Sequence, residues 1–238
     1  PQRAAAGLDP WATPQAYDNA KDFFDTGITW SNSLNVAQML DKSSYSISLG
    51  NTHQDGIISS TGMDRYNVKV SADTKLTNNW SSGFTANYIT TSIDKAVTSG
   101  NGLLRTVYAA PPSYDLAGIP SHVDGNPYTQ NSFRGSFDNA YWAMENNKFT
   151  EDTNRFFGNV YASYQTDFGT TNHKLNAKYM VGVDAYTTHY VDSYGYGSNT
   201  GGGRGQIENY GWTNATYNSL LTINYDWHIN EDWGLNAV

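Results

Sequence analysis

The chain has 238 residues with 15% charged, 14% aromatic and 38% hydrophobic content and a net charge of -8, against the roughly 25% charge of ordinary soluble domains. Only 14 Lys and Arg set against 22 Asp and Glu argue against nucleic acid, whose phosphates need clustered basic groups. The absence of Cys excludes disulfides, thiolate metal sites and cysteine nucleophiles, and no apolar run approaches the roughly 20 residues of a spanning helix.

The start, Pro1-Gln2-Arg3, has no basic or apolar leader pattern, so either a signal has been removed or this is an interior piece of something longer. Residues 1–32 are expected to be an extracellular loop segment that leads into a sheet, with weaker strands at Ser33 to Leu40 and from Trp233 onward. Strict alternation then recurs, as a strand with two unlike faces requires. Tyr45, Ile47 and Leu49 alternate with Ser44, Ser46 and Ser48, and Tyr66, Val68, Val70 and Ala72 oppose Asn67, Lys69, Ser71 and Asp73. Phe84, Ala86 and Tyr88 form the third run, and Phe156, Gly158, Val160, Ala162 and Tyr164 the fourth. Leu175, Ala177, Tyr179, Val181, Val183 and Ala185 make the fifth, and Leu221, Ile223, Tyr225 and Trp227 the sixth. Every charge in these strands lies on the polar parity, which is otherwise mostly Ser, Thr, Asn and Gln. That composition suits a wet lumen better than the ion-rich outer face of a sandwich.

The connections alternate in length. Short ones fall near Asp41 and Lys42, Thr77 to Asn79, Phe168 to Asn172 and Asn230 to Asp232. Long ones are expected at about 51–63, 92–153 and 188–216. Short periplasmic turns, long extracellular loops and aromatics near strand ends (Tyr45, Tyr66, Trp80, Tyr88, Tyr164, Trp227, Trp233) match the plan of bacterial outer-membrane barrels. The fold expected is therefore all-β, an antiparallel up-and-down transmembrane β-barrel, with residues 33–238 supplying about eight strands of a larger barrel.

A run of motifs carries a family resemblance. Asp22-Phe23-Phe24-Asp25-Thr26-Gly27, Tyr45 to Gly50, Gln54-Asp55-Gly56-Ile57-Ile58 and Arg65-Tyr66-Asn67 are followed by Ala110-Pro111-Pro112, Asn139-Ala140-Tyr141-Trp142 and Asp152 to Val160. In this order and spacing the chain resembles, from about Asp22 onward, the SusC/RagA-like TonB-linked (TonB-dependent) outer-membrane transporters. The resemblance implies a plugged barrel of roughly 22 strands in a Gram-negative, Bacteroidetes-type outer membrane. It also implies nutrient import of oligosaccharides (glycan uptake) or peptides, a SusD-like surface lipoprotein as lid, and a periplasmic TonB protein acting through a plug. The family's N-terminal extension, coupling box and plug are not in this sequence, so a barrel piece without the plug is expected. Ala37-Gln38-Met39 stands where the family often has Ser-Gly-Gly.

The candidate residues follow from the loops and the polar parity. Tyr108, Tyr114, Tyr128, Tyr141 and Trp142 in the first large loop, and Tyr194, Tyr196, Arg204 and Trp212 in the second, could contact substrate or lid. Rings stack on sugar faces, but the same aromatics could equally pack the loops onto themselves or a partner. Asn67, Lys69, Asn87, Asn159 and Asp226 are expected to line the lumen. Gly201-Gly202-Gly203-Arg204-Gly205 lacks the Lys-Ser or Lys-Thr of a phosphate loop, and the five His residues have no metal-binding spacing. Glu145, Glu151 and Asp152 read as surface acids rather than glycosidase carboxylates. No enzyme, no metal and no cofactor are expected. A secreted or surface-anchored all-β glycan-binding module is the alternative, and an extracellular β-rich hydrolase a third.

Overall fold

The structure, a computed structural model, describes residues 2–97, 102–170 and 172–238. A short helix α1 (Gln2–Ala5) and a second, α2 (Asn19–Phe23), precede four long strands, β1 (Thr29–Met39), β2 (Ser43–Asp55), β3 (Gly62–Lys75) and β4 (Trp80–Lys95). An excursion then carries α3 (Leu103–Ala109), a small hairpin of β5 (His122–Val123) and β6 (Asn126–Gln130), and α4 (Ala140–Asn146). The chain returns through β7 (Lys148–Thr166), β8 (His173–Tyr194), β9 (Gln206–His228) and β10 (Gly234–Ala237). The eight long-range strands form one sheet in the order β1-β2-β3-β4-β7-β8-β9-β10, each pair antiparallel. This is an up-and-down meander, the connectivity of a barrel wall.

The register aligns the apolar parities. Leu34 pairs with Leu49, Leu49 with Val68, Val68 with Tyr88, Tyr88 with Phe156, and Phe156 with Ala185. A second row runs Tyr45, Ala72, Phe84, Val160, Val181. A one-residue slip anywhere would send an entire strand's apolar set to the other face, so the pattern fixes the pairing. All the alternating runs therefore share one face.

No second layer covers that face among the described residues. Leu34 is 59% exposed, Val160 53% and Val181 40%, although each sits in the middle of an apolar row. The buried hydrophobic core lies elsewhere, in a cap built from α2, the 56–61 turn, α3 and α4, where Phe23, Ile58, Leu103, Val107, Leu116, Ala140, Trp142 and Ala143 close on one another. A sheet whose apolar side is bare while a small loop domain holds the core is the reverse of a water-soluble sandwich.

The strands run further than alternation alone indicated. β2 and β3 leave only 56–61 between them rather than 51–63, and the third long connection shrinks from 188–216 to 195–205. The first strand opens at Thr29, inside the segment read as loop. The excursion between β4 and β7 spans 96–147 and is ordered into the cap, apart from 98–101, which lie outside the described residues. Tight connections at 40–42, 76–79 and 229–233 occupy the opposite end of the sheet.

Candidate functional site

The cap is positioned by its own sequence. Asn139 opens α4 by accepting the amides of Tyr141 and Trp142 on its side-chain oxygen at 2.9 and 3.2 Å, an N-cap that fixes where the helix begins. The helix then feeds straight into β7, so the cap is tied to the sheet without slack. Beside it, Phe149 from β7 meets Tyr194 from β8 edge-to-face at 5.0 Å. A cavity at this junction is lined by Lys95, Phe149 and Tyr194 from the sheet and by Leu103, Asp138 and Met144 from the cap. Lys95, Phe149 and Tyr194 all belong to the polar parity, so the cap sits over the polar face at the long-loop end and leaves the apolar face bare.

Asp138 holds the cap and the 195–205 loop together. Its carboxylate is buried and accepts from Gln130 Nε2 at 2.7 Å, Ser198 Oγ at 2.6 Å and the Asn199 amide at 2.7 Å. Gln130 Nε2 also donates to the Gly197 carbonyl at 2.8 Å, and its Oε1 accepts the Asn139 amide at 2.6 Å. The run of glycines is explained here: Gly201, Gly202, Gly203 and Gly205 have φ of +71, +66, +81 and +73°, a left-handed path that side chains resist.

The aromatic candidates separate into two groups. Trp142 does not face solvent: it is 0% exposed, and its indole donates to the Pro127 carbonyl at 2.8 Å, so its role is to fill the cap core. Tyr141 is wedged against Phe23 at 5.3 Å with its hydroxyl on the Asp22 carbonyl at 3.2 Å, and burial beside Asp22 raises its pKa. Tyr114 packs on Phe133, and burial, with Asp115 adding, pushes its phenol up to about 12. These three serve the cap's packing because their rings are what the loop needs to bury. Tyr108, Tyr128 and Tyr196 instead stay exposed, the last two in edge-to-face contact at 5.7 Å, and Arg204 is exposed on the glycine turn.

Trp212 is not a loop residue. It lies within β9 on the polar parity, 5.2 Å from Tyr190 of β8, and Tyr190 stacks on Tyr210 at 5.0 Å with the rings 9° apart. Lys95 Nζ lies 4.4 Å above the Tyr190 ring and 3.1 Å from Glu151. Tyr190, Tyr210, Lys95, Asp192 and Glu208 were missed as a group because the sequence reading ended these strands too early. The register puts Tyr186, Thr188, Tyr190, Asp192 and Tyr194 on one face with Glu208, Tyr210, Trp212 and Asn214, but the opposite parity is no less polar, so alternation did not mark the strands here.

Lower on the same face lie Asn67, Lys69, Asn87, Asn159 and Asp226, in register with other polar groups such as Ser48 opposite Lys69 and Lys174 opposite Asp226. Charges here are paired across strands: Arg155 grips Asp184 through Nε at 2.8 Å and a terminal nitrogen at 2.5 Å, and Tyr161 donates to Asp73 at 2.6 Å. Such pairing keeps a polar wall satisfied without a covering layer. Glu151 and Asp152 are neighbours in a strand and point to opposite faces, so they do not form a facing carboxylate pair.

A long antiparallel meander with one bare apolar face, one polar face and an ordered cap at one end has the fold of an up-and-down β-barrel wall. Among solved structures the chain is similar to the RagAB peptide importer in its closed-closed state, with a TM-score of 0.73 and 16% identity over 92% of this chain. The chain spans 25% of the length of that protein's chain. No protein-family model matches the sequence, and no curated protein matches it.

Proposed function

We propose that this chain forms part of the wall, lumen lining and external cap of an outer-membrane nutrient importer of the TonB-dependent, SusC-like class. The observation that carries the reading is the bare apolar face. At about 3.3 Å per residue, the outward run from Leu175 to Ala185 covers about 33 Å of strand, or about 25 Å of height at the roughly 40° tilt of such barrels. That height is the thickness of an outer-membrane apolar band. Trp80 against Tyr164 at 5.0 Å stands near one edge of the band, and Tyr66, Tyr88 and Phe156 near the other, in the positions of interfacial girdles.

In this reading hydrocarbon covers the apolar face, and the polar face lines an aqueous lumen. The free edges of β1 and β10 are paired by further strands of a closed wall, because an unpaired edge in lipid strands every second amide. The chain transforms nothing chemically. Its polar wall and exposed loop aromatics bind and pass solute, energy arrives from a periplasmic TonB protein through a plug, and a SusD-like lipoprotein closes over the cap end. The substrate class is oligosaccharide or peptide, and the likeness to a peptide importer favours peptide.

The test is partition. The complete protein that contains this chain should require detergent, reconstitute into vesicles and migrate differently on gels before and after heating. A complete protein that stays monomeric in plain buffer would overturn the reading in favour of a secreted glycan-binding module.

A further inference from the structure

The upper polar face carries an arrangement that passive wall-building does not need. Lys95 shows how this surface handles an ammonium, since one ring, Tyr190, and one carboxylate, Glu151, share it at 4.4 and 3.1 Å. The adjacent strand repeats both kinds of group. Tyr210 and Trp212, 43% and 51% exposed, extend the ring surface, and Asp192 and Glu208 are a directly opposed cross-strand pair one level nearer the cap. Like charges facing each other across strands are destabilising unless a cation lies between them. The contacts they make are with neutral donors, Tyr210 Oη to Asp192 at 3.2 Å and Gln206 Nε2 to Glu208 at 2.5 Å.

We propose that Tyr210, Trp212, Asp192 and Glu208 form a subsite for the cationic group of a peptide, a Lys or Arg side chain or an amino terminus. The proposal rests on the importer reading, in which this face lines the route of the solute. The cation would sit against the ring faces and between the two carboxylates, as Lys95 does against Tyr190 and Glu151. A neutral sugar could stack on the same rings but would leave both carboxylates uncompensated, and an anion would be repelled by them. Tyr190 lies five residues beyond Ala185, about 13 Å above the apolar band at the same rise and tilt, so the subsite opens to water beneath the cap.

The experiment uses the complete importer that contains this chain, in detergent micelles, and titrates the acetylated, amidated peptide Ala-Lys-Ala-Lys by calorimetry, with Ala-Glu-Ala-Glu and maltotriose as competing probes. Binding of the lysine peptide is expected, weakening as NaCl rises from about 0.02 to about 0.5 M, where screening shortens to a few ångströms. The double variant Asp192→Asn, Glu208→Gln should bind it about tenfold more weakly, as should Trp212→Ala, while Trp212→Phe keeps most of the affinity. Circular dichroism and heat-dependent migration equal to those of the parent establish that each variant is folded. Unchanged affinity in the folded double variant, equal binding of the glutamate peptide or maltotriose, or no binding of the lysine peptide would each overturn the subsite. Those outcomes leave the importer reading standing, since that reading fails on detergent-free solubility, a separate measurement.

Discussion

A charge placed on the apolar face discriminates most sharply between hydrocarbon and water as its surroundings. Val181 is outward, six residues from Leu175 and four from Ala185, so it lies about 15 Å from one edge of the band and about 10 Å from the other, close to the midplane. Its cross-strand neighbours are Val160 and Ser219, and none of the three has a covering layer among the described residues. Arginine at that depth of a barrel's lipid face costs about 2–4 kcal/mol, falling to about 0–1 near the interfaces. Val181→Arg should therefore lower the folding equilibrium in vesicles by about 30- to 700-fold. Ala185→Arg, at the band's edge, should cost at most about 1 kcal/mol. Asn159→Arg, at nearly the same depth but on the polar face, should cost little, because its side chain stays in water. The assay is reversible denaturant unfolding of the complete, vesicle-inserted protein that contains this chain, followed by tryptophan fluorescence. Equal costs for Val181→Arg and Asn159→Arg, or a more stable Val181→Arg, would refute the assignment of lipid to this face.

Three further outcomes are expected. Asp138→Ala strips the acceptor from Gln130, Ser198 and Asn199, at about 1–3 kcal/mol for each donor left buried, and should release the 195–205 loop, read as faster protease cleavage there and faster amide exchange at Asn199. Tyr114→Phe should be neutral or stabilising, because the buried hydroxyl has no partner among the described residues. Since the folded phenol holds its proton to about 12 against 10.0 when unfolded, the parent loses stability as pH rises between those values; the Phe variant should lose less over the same window in an alkaline denaturation series. Gly158→Val should cost about 1–3 kcal/mol in the same vesicle unfolding assay, because an added Cβ would run into the Thr85 carbonyl oxygen of the neighbouring strand.

Much of the sheet was legible because alternation is a local signal. Tyr45 to Leu49, Tyr66 to Ala72 and Leu175 to Ala185 each declare two unlike faces within a few residues, and their parity alone dictates a common register. The signal faded above the apolar band, where both faces of β8 and β9 meet water. There Thr187 and His189 on one side and Thr188 and Tyr190 on the other carry no contrast, so strand looked like loop and Trp212 was placed in the wrong element.

What the residues by themselves determined was the meander, its apolar and polar faces and the uneven lengths of its connections, since these depend on neighbours in the chain. Only the tertiary structure decided which aromatics are spent inside the cap and which stay free. Trp142 and Tyr108 are equally aromatic and lie in the same excursion, yet one is sealed beneath Pro127 and the other stands open. Nothing local separates them, because burial is set by what the distant segments α2, 56–61 and 195–205 bring to the same place, and the gathering of Lys95, Glu151, Tyr190 and Trp212 from four strands arises in the same way.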